Sequence, residues 1–185
     1  MVIPRSWKDA DAVAAMRGFL RQPPPRRAAV NDLMRELLSP DPFTSRCAAD
    51  LARRVSARQP GILRKYADVL VNLVAELPLD RWQARGYVTL AAALNASTHA
   101  QRMRLAVLVR ALAEDERIAL RAIALEAFAI LAAAEAELRD EAMLLLERSR
   151  HGSGAMRLRA RRMLLLLLAS EKKARSQPRA SKPAQ

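Results

Sequence analysis

The chain of 185 residues has few of the side chains that build most catalytic and metal-binding sites. It contains one cysteine, Cys47, and two histidines, His99 and His151, which lie far apart in the sequence. A single cysteine excludes an internal disulfide and any metal site with several thiolate ligands. Phosphate-binding glycine loops and nucleophile motifs are also absent. We therefore predict no enzymatic activity, no cofactor and no metal, and we expect Cys47 to be a small buried apolar residue.

Long apolar segments are missing as well. The apolar run at residues 163–169 is far shorter than the roughly 20 residues needed to span a bilayer. The first residues lack the apolar central region of a secretory signal. These features predict a soluble, cytoplasmic protein that does not interact with membranes.

Alanine and leucine dominate what is present, with 37 and 28 copies, whereas aromatic residues make up only 4% of the chain. Alanine and leucine are strong helix formers, and the residues that favour strands are scarce, so the sequence predicts an all-α fold. Proline, glycine and turn residues divide it into nine predicted helices. Their ranges are 7–21, 26–38, 43–57, 62–77, 81–94, 99–113, 117–133, 135–150 and 155–169.

Two columns of arginines recur along these helices. In the first, an acid in a turn precedes an arginine by five residues, at Asp41/Arg46, Asp80/Arg85 and Glu116/Arg121, and Arg157 opens a partial fourth unit. The arginine spacings are 39, 36 and 36, although Arg81 could replace Arg85. The second column is Arg64, Arg102 and Arg139, with spacings of 38 and 37. Helix pairs repeated at this period indicate an α-solenoid, in which neighbouring units share one core. We expect the acid–arginine pairs to link adjacent units.

Three segments carry a resemblance to a known family: RCAA at 46–49, ALRAIALEAF at 119–128 and AMRLRA at 155–160. They resemble HEAT repeats, including the short bacterial forms called lyase-like HEAT repeats, over about residues 40–169. The resemblance implies a right-handed α-solenoid of about three helix pairs, and it implies that the protein binds partners, as proteins of this family commonly do. Residues 1–39 would form capping helices, and residues 170–185 would form a disordered basic tail.

The first candidate site is a surface for a protein partner. If the second helix of each pair lines a concave face, five basic residues fall on or near one edge of it: Arg64, Lys65, Arg102, Arg104 and Arg139. Such an edge suits an extended acidic partner, either a protein segment or a phosphate backbone. The alternative is that these residues pair locally, as Arg64 would with Asp68 four residues later, and only solubilise the face.

The second candidate site is the basic C-terminal region. The formal net charge of the chain is +13, and residues 155–185 hold nine basic side chains against one acidic. Non-specific nucleic-acid binding would use Arg157, Arg159, Arg161, Arg162, Lys172, Lys173 and Arg175. This region has no aromatic residue to stack on bases. The main hypothesis is therefore a non-catalytic scaffold for protein–protein interaction, and the alternative is a non-specific nucleic-acid-binding protein. An arginine-rich genome would also explain the charge.

Overall fold

The computed structural model describes residues 8–22 and 27–176, except for the side chains of residue 155 and residues 173–176. All regular secondary structure in these residues is helical, which confirms the predicted all-α class. The described helices are α1 (Asp9–Arg21), α2 (Arg27–Leu37), α3 (Pro42–Arg58), α4 (Ala67–Glu76), α5 (Trp82–Asn95), α6 (His99–Ala113), α7 (Ile118–Ala134), α8 (Arg139–Ser149) and α9 (Gly154–Ser176). Short 3-10 helices precede α4, α5 and α8.

Most predicted helix bounds agree with the structure to within two residues, and the exceptions are the starts of α4 and α8 and the end of α9. Both α4 and α8 begin four or five residues later than predicted, because a 3-10 helix first turns the chain. Before α4 the turn contains Gly61, whose φ of 83° lies in the left-handed region that favours glycine. The Gly61 N–H donates to the carbonyl of Leu94 at 3.2 Å, so this turn is held against the end of α5.

The last helix is longer than the sequence predicted. It continues to Ser176, seven residues past the expected end, so Lys172, Lys173 and Arg175 lie on α9 and not in a disordered tail. Alanine, glutamate, lysine and arginine in this stretch are good helix formers, and the next proline is Pro178. The rest of the predicted tail, residues 177–185, lies outside the described residues.

Alternate helices contact one another along the chain. α3 packs on α5, α5 on α7 and α7 on α9, and we call these four the first helices. The second helices α4, α6 and α8 follow the first helices α3, α5 and α7 in the chain, and α4 contacts α6 directly. At the N-terminal end, α1 and α2 both pack on α3.

The core combines small residues within the first helices and leucines on the second helices. Ala48, Ala49, Ala124 and Ala127 are fully buried. An alanine at a contact lets two helix axes approach closely. On the second helices, Leu70, Leu73, Leu112 and Leu146 are buried, and Leu108 and Leu145 are partly buried. Cys47 is fully buried, and this burial raises the pKa of its thiol.

A buried asparagine joins the first two units. The Asn95 carbonyl oxygen accepts a hydrogen bond from the backbone N–H of Leu63 at 2.7 Å. Its amide donates to the hydroxyl of Ser56 on α3 and to the carbonyl of Ala91, both at 2.7 Å. A buried amide is stable only when its polar atoms are paired, so this network fixes α3, α5 and the turn before α4 relative to one another.

In the part of the chain that the structure describes, the predicted acid–arginine pairs form no ion pairs, but Arg46 and Arg81 link adjacent units through other partners. Arg46 donates to the Gln83 side chain at 3.3 Å, and Arg85 donates to the carbonyl of Val74 at 2.6 Å. Arg81, the alternative to Arg85 in this column, donates to the carbonyls of Ser39 and Pro40 in the turn between α2 and α3. The acid Asp41 instead caps α3, where its carboxylate accepts from the Thr44 N–H. Of these arginines, Arg85 binds the end of α4, where the last carbonyls lack helical partners.

Candidate functional site

The second arginine column lies at the start of the second helices. The guanidinium of Arg102 donates to the carbonyl of Ala96, and that of Arg139 donates to the carbonyl of Ala132, each at 3.3 Å. Both acceptors lie at or just after the C-terminal end of the preceding first helix, where helical carbonyls are left without partners. These two arginines therefore close the turn within their own helix pair.

Arg102 also joins two neighbouring units. Its Nε lies 2.5 Å from Oε1 of Glu135, the residue that follows α7. This hydrogen bond, together with a weaker contribution from His99, holds the pKa of the Glu135 carboxyl below its usual range. Four-fifths of the Arg102 side chain is buried, so it offers little of its charge to a partner.

The other predicted partner-binding residues are exposed. Arg64, Lys65 and Arg104 all lie in solvent, and none of them forms an ion pair with the residues the structure describes. The local pairing considered for Arg64 and Asp68 is thus not formed. The guanidinium of Arg64 instead lies beside the backbone of Gly61. A shallow groove of about 460 Å³ borders this turn, lined by Arg27, Val30, Ile62, Arg64, Lys65 and Tyr66.

An aliphatic row runs along the second helices and was not predicted. It consists of Val69, Val107 and Leu144, whose exposed fractions are 38%, 62% and 52%. Their spacings, 38 and 37, equal those of the second arginine column, and each lies five residues after an arginine of that column. The three side chains therefore occupy the same position of successive units. The arginine spacing could have pointed to the equivalent positions of these three residues. Only the structure shows which side chains of a helix are exposed and which are buried.

An ion pair between α6 and α8 adjoins this row. Nε and Nη2 of Arg110 lie 2.7 and 2.6 Å from the two carboxylate oxygens of Glu141. This two-point contact lowers the pKa of Glu141 and raises that of Arg110. Arg110 lies three residues after Val107, and Glu141 three before Leu144, so each shares a helix face with the row. The pair holds two second helices together and cancels charge beside the exposed aliphatic side chains.

The basic residues of α9 divide into two groups. Arg159 lies 3.2 Å from the carboxylate of Glu126 on α7 and is only one-third exposed. Arg157, Arg161, Arg162 and Lys172 are exposed. Lys173 and Arg175 also lie on α9, with side chains outside the described part of the chain.

One group of side chains within the described residues has the composition of a metal site. His99, Glu135 and Glu137 each offer a ligand atom, and these atoms lie within 4.8 Å of one another. Nδ1 of His99 is 3.2 Å from Glu135, whose second oxygen contacts Arg102. A guanidinium already paired with the central ligand opposes cation binding. The arrangement is best described as a polar bridge between the α6 start and the α7–α8 turn.

No family model, curated protein or solved structure matches this chain at a significant level. Among the described helices, none combines the length and apolar character required to cross a bilayer.

Proposed function

We propose that this chain is a non-catalytic scaffold of the HEAT-repeat type that binds a protein partner along its second helices. In this proposal the helix pairs form a right-handed α-solenoid, and α1 and α2 cap its N-terminal end. The contacts from one first helix to the next, and two arginine columns with nearly equal periods, support the arrangement. Similar units placed side by side create an extended surface on which equivalent residues are aligned.

The aliphatic row is the observation that carries this proposal. A single exposed valine or leucine is ordinary on a protein surface. Three of them at one position of successive units form a line that an apolar side chain of another protein can cover. Arg104 lies one helical turn before Val107, and Arg64 and Lys65 lie in the 3-10 helix that precedes α4. These exposed cations favour a partner segment that combines apolar and acidic residues.

Nucleic-acid binding is the second candidate, favoured by the exposed cations of α9. A phosphate backbone is recognised by charge and gains nothing from aliphatic side chains, so it would leave the row on the second helices unused. The two functions therefore predict different sensitive residues. Protein binding depends on Val107 and Leu144, whereas nucleic-acid binding depends on Arg157, Arg161, Arg162 and Lys172.

The test is affinity capture from nuclease-treated lysate of the source organism with the full chain. With the double variant Val107→Glu/Leu144→Glu, we expect the captured amount of one or more proteins to fall at least about tenfold, because the variant places charge in an apolar contact. Leu79→Glu is the matched control, since Leu79 is 64% exposed and lies outside the row. Equal recovery with both variants would contradict the proposal.

A further inference from the structure

The outward face of α9 is an uncovered apolar and basic surface at the C-terminal end of the stack. Leu158, Leu165 and Leu168 have exposed fractions of 73%, 68% and 51%. The opposite side of the helix is buried against α7 and α8 by Met156, Ala160, Met163 and Leu167. The leucine run at 164–168 is thus divided between the two sides, with Leu164 and Leu167 buried. A terminal helix that ended the stack would present a polar outer face.

The exposed leucines occupy positions that are buried elsewhere in the stack. The 36-residue spacing that relates Arg157 to Arg121 relates Leu158, Leu165 and Leu168 to Ala122, Ala129 and Ala132 of α7. All three alanines are buried. One repeat earlier, Leu158 corresponds to Gly86, and a Cβ there would lie 3.0 Å from Cδ1 of Ile123 on α7. The position therefore points from one first helix towards the next, and in α9 it points outward.

Charge on this face specifies what can cover it. Arg161, Arg162 and Lys172 are exposed among the leucines, and no acid lies among the exposed residues of this face. At the preceding junction, the acid Glu126 on α7 contacts the cation Arg159 on α9. A helix that continued the stack would meet Arg161 and Arg162 with acidic side chains in the same way.

Two possible occupants from the chain itself do not fit. A second copy that brought its own α9 face against this one would set cations against cations. The opposite end of the stack, formed by α1 and α2, carries four basic and four acidic side chains and so offers no excess of acid. The segment at 177–185 has no apolar side chain larger than alanine or proline and carries two cations, so it matches neither the leucines nor the charge.

We propose that the outward face of α9 docks an acidic amphipathic α-helix of another protein, which takes the place of the next first helix in the stack. Leu158, Leu165 and Leu168 would pack against its apolar stripe, and Arg161 and Arg162 would pair with acids beside that stripe. This surface is separate from the aliphatic row, so the two proposals can fail independently.

The test measures binding of three synthetic helical peptides to the full chain. All three share one leucine stripe, at i, i+3, i+4 and i+7, and their net charges are about −4, 0 and +4. We expect the acidic peptide to bind with a Kd of roughly micromolar order, and at least about tenfold more tightly than the neutral one. The basic peptide should not bind measurably.

Variants locate the interaction on α9. Leu158→Glu/Leu165→Glu and Arg161→Glu/Arg162→Glu should each weaken the acidic peptide at least about tenfold. All four residues are exposed, so circular dichroism and the unfolding midpoint should match those of the unaltered protein. Leu38→Glu, at a residue 60% exposed in the turn after α2, is the control and should not change binding. Val107→Glu/Leu144→Glu should not change it either, which separates this site from the aliphatic row.

The same experiment includes a membrane arm with vesicles of phosphatidylcholine and phosphatidylglycerol. Three outcomes would overturn the proposal. The first is an equal affinity for all three peptides, or no binding of any. The second is binding to the anionic vesicles alone, which would assign the face to lipid. The third is a concentration-dependent dimer that Leu158→Glu/Leu165→Glu abolishes, which would assign it to a second copy.

Discussion

The helices α7 and α9 occupy equivalent places in the stack, yet one is an interior helix and the other is half uncovered. α7 packs between α5 and α9, and small residues such as Ala122, Ala129 and Ala132 lie at its contact positions. α9 carries leucines at the corresponding positions and has no described helix beyond it. Alanine suits a contact that is already closed, because it allows close approach. A leucine contributes to packing only when another surface covers it, so the same repeat position has different uses inside the stack and at its end.

If the interior of the stack is more tightly packed than its end, the largest loss of stability is expected at the hydrogen-bond network of Asn95 in the interior. Asn95→Ala removes the partners of the Leu63 N–H and the Ser56 hydroxyl in a buried setting, and should lower the free energy of unfolding by about 2–4 kcal/mol. Urea unfolding measures this. The matched change at the end of the stack is Ser170→Ala, because the half-buried hydroxyl of Ser170 donates to the carbonyl of Leu167. It should cost no more than about 0.5 kcal/mol, and equal losses at the two sites would contradict the comparison.

A pair of reciprocal exchanges sharpens the comparison at one repeat position. Ala129→Leu inserts three carbon atoms into a fully buried contact and should destabilise the protein by about 1–3 kcal/mol. Leu165→Ala, at the equivalent place on α9, should change stability by no more than about 0.5 kcal/mol, because Leu165 is exposed. The urea unfolding midpoints of the two variants can be compared if the unfolding free energy of both has the same slope against urea concentration. A destabilisation by Leu165→Ala as large as that by Ala129→Leu would show that the outward face is already covered in solution.

Much of the fold could be predicted from the sequence alone, but little could be predicted about the exposed surfaces. Helix composition and the breaks at proline and glycine located nine helices, because these signals are local. The starts of α4 and α8 were misplaced because 3-10 turns and the left-handed Gly61 depend on contacts with other helices, such as the Gly61 bond to Leu94. The end of α9 differs from the prediction because its charged segment lacks apolar periodicity, which is typical of disorder, yet consists of good helix formers.

The arginine column shows why functional residues were harder to identify. Spacing relates these arginines to one another, but it does not reveal what each side chain binds. Arg102 and Arg139 close turns through backbone carbonyls, whereas Arg64 is exposed at the equivalent position. The aliphatic row and the face of α9 were missed for a related reason. A valine or leucine in a helix is expected to be buried, and its exposure depends on which neighbour is present.

The most direct measurement for the central claim is a titration of labelled duplex DNA into the full chain, because protein binding and nucleic-acid binding respond differently to salt. At roughly 50 and 200 mM salt we expect weak binding, with a Kd no tighter than about 10 µM at the higher concentration. Arg161→Glu/Arg162→Glu should change it little, although the same exchange is expected to weaken binding of the acidic peptide at least about tenfold. Tight DNA binding that falls about a thousandfold between the two salt concentrations, and that this exchange abolishes, would contradict a protein-binding scaffold.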